Sequence, residues 1–223
     1  MTGSGPVDLG SNFRKSERGY MKENVWDRIA NIYGQKKYFG KSLFKEEKKV
    51  LNKLIKKDIR LILDAGCGTG RHLRFLSSKG FFVVGLDYSK NMILNAKKLM
   101  NGSYVIGDIR NLPFKDSVFD ATICLGNTIG SIQDVESVLE KIIKEMKRVT
   151  KNILIIEFRS GGKKEIKSIG NEEYEVKTWK MKEVRNTFSS LDLKFKIIKG
   201  KRLSNCYFFY VICNLKNKNN LNN

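Results

Sequence analysis

Three aspartates, Asp64, Asp87 and Asp108, each end a short apolar run, and the first is followed at once by Gly66, Gly68 and Gly70. In "LILDAGCGTGRHL" these glycines leave bare backbone where an apolar run turns into a helical pattern. Glycine admits positive φ and close approach of a ligand, and the first turn of the next helix presents unpaired N–H groups. A nucleotide-like ligand suits such a turn. A dinucleotide loop spaced G-x-G-x-x-G would need a glycine at position 71, where the sequence has Arg71. What stands instead is D-x-G-x-G-x-G, and a carboxylate two residues before the first glycine repels phosphate but holds an ammonium group.

The elements that must position these acids follow from periodicity. "IRLILDA", "FFVVGLD", "SYVIGD", "SVFDATICLG" and "KNILIIEF" read as five apolar strands. Amphipathic helices separate most of them: "RHLRFLSSKG", "SKNMILNAKKLM" with Ser89 as N-cap, and "DVESVLEKIIKEMKRV". Two further helices, in "ENVWDRIANIYG" and "SLFKEEKKVLNKLIKK", precede the first strand. Continuous apolar strands joined by helices predict a doubly wound α/β fold with a mainly parallel sheet covered on both faces. After a short segment "YEVKTW" and a helix near "MKEVRNTFSSL", the runs "LKFKIIKGKRL" and "NCYFFYVICNL" follow without a helix between them. They predict an antiparallel pair at one edge, seven strands in all.

Positions 20 to 215 resemble the class I S-adenosylmethionine-dependent methyltransferases. "LDAGCGTG" matches that family's first motif, "VVGLDYSKNMI" resembles its second and "VIGDIRNLPF" its third, with "FDATICLGNTIGSI" on the fourth strand and its loop. The resemblance implies S-adenosylmethionine as cofactor. It gives Asp64, Ala65, Gly66, Gly68 and Gly70 to the methionine side, Asp87 to the ribose hydroxyls, and Asp108 with the Ile109 backbone to the adenine. Tyr88 and Met92 would cover the adenine ring, Leu125 would complete the cradle, and Arg71 would reach the methionine carboxylate; core packing for Met92 and an exposed helix position for Arg71 are the plainer readings.

Methyl transfer is an in-line displacement on an activated sulfonium, so orientation carries most of the catalysis and no dedicated acid or base is required. Glu157 and Arg159 end the fifth strand, where the carboxylate could hold an amine or accept its proton, or simply form a strand-end charge pair. His72 reads as a packing or surface residue. The fourth-strand loop "LGNTIG" lacks the D/N-P-P-F/Y signature of adenine-N6 methyltransferases, and together with "ENVWDRIANIY" it is similar to small-molecule N-methyltransferases of the glycine-methylating and amino-sugar type. In those families the N-terminal helix is a lid, which would bring Tyr20, Trp26 and Tyr33 to the cofactor or substrate; Tyr33 joins Glu157 as a candidate for the chemistry, and the alternative for these aromatics is anchoring in the core.

The chain has 223 residues, two prolines and a formal net charge of +20. Composition shifts only at the ends, so a single domain over 20–215 is expected, with 1–19 a disordered arm and 216–223 a polar tail. No apolar run suits a signal peptide or a membrane span, and Cys67, Cys124, Cys206 and Cys213 form no C-x-x-C pair, which reads as a reduced, cytoplasmic protein without a metal. The charge would draw nucleic acid or acidic substrates, although lysines on solvated helix faces need no partner. Three functions stay open: a methyltransferase for a nitrogen or oxygen of a small molecule, one acting on RNA or protein, and a non-catalytic cofactor-binding subunit. The oligomeric state is not encoded in any of these features.

Overall fold

The computed structural model describes residues 24–35, 43–55, 58–203 and 205–216. Tyr20 and the expected arm at 1–19 lie outside them, as do residues 217–223 of the tail. Five parallel strands, β1 (Leu61–Ala65), β2 (Phe82–Asp87), β3 (Ser103–Ile106), β4 (Phe119–Cys124) and β5 (Thr150–Arg159), join β8 (Phe195–Arg202) and β9 (Tyr207–Asn214) in a seven-stranded sheet ordered β3-β2-β1-β4-β5-β9-β8. β9 runs antiparallel to both β5 and β8, so β8 again points with the first five. The expected edge pair is present, and its reversed member is the inner one.

Alternation along each strand divides the core between two faces, because successive side chains point to opposite sides. Leu63, Leu154, Ile156 and Phe158 pack under α5 (Val135–Val149) and α6 (Met181–Ser190). Ile62, Ile153, Ile155 and Tyr210 pack with α2 (Lys45–Ile55) and α3 (Arg71–Ser77) on the other face. Asp64 stands two residues after Ile62 and therefore shares the α2/α3 face. The chain reverses its direction of travel across the sheet between β1 and β4, which opens a crevice at the C-terminal strand ends.

Two elements lie outside the sheet and close over that crevice. α1 (Val25–Tyr33) packs Ile29 and Ala30 on Met92 of α4 (Lys90–Leu99). β6 (Lys164–Ile169) and β7 (Glu172–Lys177) form an antiparallel hairpin. Only "YEVKTW" was expected to be ordered here, because β6, "KEIKSI", carries its two isoleucines singly among charged and polar residues and never forms an apolar run.

A buried ion pair ties α2 to α3. Arg71 forks onto Glu47 with both nitrogens 2.7 Å from its oxygens, and His72 Nε2 lies 3.3 Å from the same carboxylate. Glu47 also accepts the Phe44 N–H at 2.7 Å, capping its own helix. Burial alone would raise this acid, but the hydrogen bonds and charges of His72 and Arg71 overcome it and hold Glu47 at about 2. Replacing one partner of such a pair leaves the other charge poorly compensated in the interior. Glu47→Gln is therefore expected to lower the unfolding free energy by about 3 kcal/mol in urea denaturation at neutral pH. Because the folded-state pKa is depressed below the ordinary 4.5, the stabilisation is complete above that pH and the gap between parent and variant closes as pH falls towards 2; a gap that persists there would show that the effect is not the ion pair.

Candidate functional site

The glycine turn is held to its neighbours by hydrogen bonds that leave one side open. Gly66 N–H and Cys67 N–H both donate to the Leu86 carbonyl, at 2.7 and 2.9 Å. Gly66 has φ +78°, and a Cβ there would overlap Thr128 Cγ2, so glycine is required on both counts. Thr128 Oγ1 donates to the Gly66 carbonyl at 3.3 Å and to Leu125 O at 2.9 Å, joining the turn to the loop after β4. Gly68, by contrast, has nothing within 4 Å of where a Cβ would stand.

Asp87 completes the frame. Its Oδ2 accepts the Gly68 N–H at 2.8 Å and its Oδ1 the Ser89 N–H at 2.9 Å. Burial dominates its ionisation and raises it to about 6, with those two N–H groups pulling the other way. Each carboxylate oxygen retains lone-pair capacity beyond the bond it makes. Asp64 is fully buried on the α2/α3 face, and neither of its oxygens has a hydrogen-bond partner of good geometry among the described residues. Burial raises its pKa, opposed by the charges of His72 and Arg71.

A cavity of about 930 Å³ opens above these strand ends. Of the residues singled out from the sequence, Gly66, Gly68, Asp87, Tyr88, Met92, Asp108, Ile109, Arg159, Trp26 and Tyr33 line it. Met92 serves in both of its expected capacities, lining the cavity and packing beneath α1. Asp64, Ala65, Gly70, Arg71, Leu125 and Glu157 are not in its wall. Ala65 and Leu125 are core residues, and Gly70, at φ +78°, is the N-cap of α3. Arg71 corrects an expectation: its guanidinium is paired with Glu47 and lies over the ring of Phe44, and it is neither an exposed helix arginine nor a wall residue. Glu157 sits behind the wall, 2% exposed, hydrogen-bonded with Tyr210 and raised to about 8 by burial.

Asp108 is engaged by its own loop. Arg110 donates to it from its backbone N–H at 2.8 Å and from Nε at 3.0 and 2.9 Å. The carboxylate is half-buried and borders the same cavity.

The sequence reading missed several wall residues. Asn127 takes φ +59°, is buried, accepts the Arg159 N–H on Oδ1 at 3.2 Å and lines the cavity. The pair Gly126–Asn127 was its signal, since both residue types tolerate the left-handed region. Asp27 was also missed: its Oδ1 accepts Ser89 Oγ at 2.7 Å and the Asn91 N–H at 3.0 Å, clamping α1 onto the start of α4. That clamp sets Trp26 against Tyr33 and Tyr174, with ring centroids 5.9 and 4.9 Å apart. Tyr174 comes from the unforeseen hairpin.

Residues 62–152 match the family model described as a methyltransferase domain. The chain is similar to demethylmenaquinone methyltransferase of Thermotoga maritima, 31% identical over 138 residues that cover 59% of this chain and 59% of that enzyme. It is also similar to malonyl-[acyl-carrier protein] O-methyltransferase of Buchnera aphidicola, 41% identical over 91 residues, 40% of this chain and 35% of that enzyme. The chain thus spans well under two thirds of the length of either relative. Among solved structures, an S-adenosylmethionine-dependent methyltransferase from Clostridium acetobutylicum superposes with a TM-score of 0.66 at 16% identity, covering 87% of this chain and all of that one, which establishes the shared fold. The glycine turn, the acids at successive strand ends and the matched stretch agree: residues 62–152 are similar to a methyltransferase domain, and the fold is the one shared by S-adenosylmethionine-dependent methyltransferases of known structure.

Proposed function

We propose that this protein transfers a methyl group from S-adenosylmethionine to a nitrogen or oxygen of a small molecule. The observation that carries the reading is the single cavity of about 930 Å³ in which the glycine turn, Asp87 and Asp108 share a wall with Trp26, Tyr33 and Tyr174. The residues present fit the cofactor. Gly68 leaves open space beside an anchored carboxylate, Asp87 has acceptor capacity for two hydroxyls, and Asp64, just below the turn, is a buried carboxylate with no hydrogen-bond partner of good geometry among the described residues. An ammonium group is the natural complement for such an acid.

When bound, S-adenosylmethionine supplies an electrophilic methyl group on a sulfonium. The chain's own work is to bind, orient and exclude water. Asp87 would hold the ribose, Asp108 would face the adenine amine with its Arg110-bound carboxylate, and Met92, Tyr88 and Ile109 would provide apolar cover. α1, clamped by Asp27, and the β6–β7 hairpin wall off the far end. Tyr33, in that wall, is the better candidate for contact with the acceptor than Glu157, which is screened from the cavity. Orientation of this kind is worth about 7 to 11 kcal/mol of barrier, enough that a dedicated general base is not required.

The second reading, methylation of RNA, is favoured by the net charge of +20. The walled, aromatic-lined cavity supports the small-molecule reading more strongly, since pockets of this size enclose metabolites.

Calorimetry is expected to show Asp87→Ala weakening S-adenosylmethionine binding by about tenfold or more, the loss of a charge-assisted hydrogen-bond pair. Because Asp87 titrates at about 6 and accepts hydroxyl protons only as the carboxylate, affinity should fall as pH drops below that value and the variant should lack this component; equal affinities, or identical pH profiles, would remove the ribose assignment. Incubation with methyl-labelled cofactor and separated cellular pools should label small metabolites. Label confined to RNA or protein would overturn the proposed substrate class.

A further inference from the structure

Resting on the methyltransferase reading, we propose that the acceptor end of the cavity is a subsite for an oxyanion, a carboxylate or phosphate carried by a small acceptor with a flat or apolar body, held by Arg159 and Lys167 beside Trp26 and Tyr174. The charge balance is the first argument. Glu165 serves three cations: Arg159 Nη2 at 3.2 Å, Lys167 Nζ at 2.8 Å and Lys163 Nζ at 3.7 Å. One carboxylate among three cations leaves positive charge in excess. Lys163 is largely solvated and counts for little, but Arg159 and Lys167 line the cavity.

The second argument is the distribution of acids along the wall. Asp87 and Asp108 stand at the nucleotide end, and among the described residues no other Asp or Glu lines the cavity. Glu157, two residues before Arg159 on the same strand face, is buried against Tyr210 and pushed up to about 8, so it does not cancel the guanidinium at neutral pH. The excess therefore persists where an acceptor would lie.

Preorganisation is the third. Arg159 Nε donates to Cys206 Sγ at 3.2 Å while its Nη2 meets Glu165, and its side chain is 19% exposed. A guanidinium fixed from two directions presents its remaining N–H groups at low entropic cost, and its fork matches the geometry of carboxylate and phosphate. Beside it, Trp26 and Tyr174 meet edge-on at 4.9 Å and offer apolar surface for the rest of the acceptor. Arg159 and Tyr174 line the same cavity, and Lys167 stands directly across the hairpin from Tyr174. One recessed and one half-exposed cation around one pocket suit a single anionic group, whereas a nucleic-acid backbone needs a track of contacts.

The test uses the full chain. Affinity for S-adenosylhomocysteine is measured first by calorimetry, which judges the cofactor reading by itself. Phenylacetate, phenyl phosphate, neutral phenylacetamide and a short RNA oligonucleotide are then titrated with and without that nucleoside, followed by NMR. At least one of the two small anions should bind about tenfold more tightly than the amide, the gain expected of a charge-assisted contact, and the stronger arm tells carboxylate from phosphate. The double variant Arg159→Gln with Lys167→Gln should lose most of that preference while its nucleoside affinity stays within about twofold. Lys167→Gln alone, on a half-exposed strand position, should lose part of it and guards against misfolding of the double variant. Equal binding of amide and anions, an unchanged preference in both variants, or RNA binding more tightly than either anion at the same residues would overturn the proposal. Absence of nucleoside binding would instead overturn the cofactor reading, and the anion arms run without it would still decide the subsite.

Discussion

The site depends on a carboxylate satisfied by backbone. Asp87 sits at the end of β2 with one oxygen on the Gly68 N–H and the other on the Ser89 N–H. These two bonds fix the glycine turn, the second strand and the start of α4 relative to one another. A buried acid is costly unless hydrogen-bonded, so the turn must keep the conformation that supplies those donors. Gly66, pressed against Thr128, locks the other flank of the same turn to the β4 loop. The result is a rigid floor built before any ligand arrives, which is the condition under which orientation can carry a reaction.

Around that floor the protein places its covering elements by polar contacts as well as by apolar burial. α1 covers little core, yet Asp27 grips Ser89 and Asn91, and Asn95 donates to Asn31 at 3.0 Å. Since Ser89 also donates its N–H to Asp87, the covering helix and that carboxylate share one residue. On the opposite side the Glu47, Arg71 and His72 cluster fills the space between α2 and α3 under the turn. Its guanidinium, expected at the ligand, is consumed in holding the scaffold.

How much of this could be read from the sequence follows from the range of the interactions involved. The strands and their order of appearance were legible because parallel strands buried on both faces are continuous apolar runs, and Asp64, Asp87 and Asp108 were legible because each terminates one. Asp87 and Asp108 reach the cavity as expected. Arg71 did not, because its partner Glu47 lies 24 residues earlier and no local pattern pairs them. The β6–β7 hairpin was hidden because β6, a strand that borders a cleft instead of a core, has its isoleucines isolated among charged and polar residues. Asn127 and Tyr174 belong to the wall through tertiary placement, although the Gly126–Asn127 pair carried a local hint of unusual backbone. Asp27 was masked by its ordinary capping position in α1, where the link to α4 is not visible.

The central claim is that the nucleoside settles on the backbone-satisfied carboxylate at the end of β2. Backbone amide NMR during titration with S-adenosylhomocysteine tests it most directly. The Gly68 and Ser89 amides should shift together and saturate at one affinity, accompanied by the Trp26 indole. Saturable shifts elsewhere, with those two amides unmoved, would contradict the account.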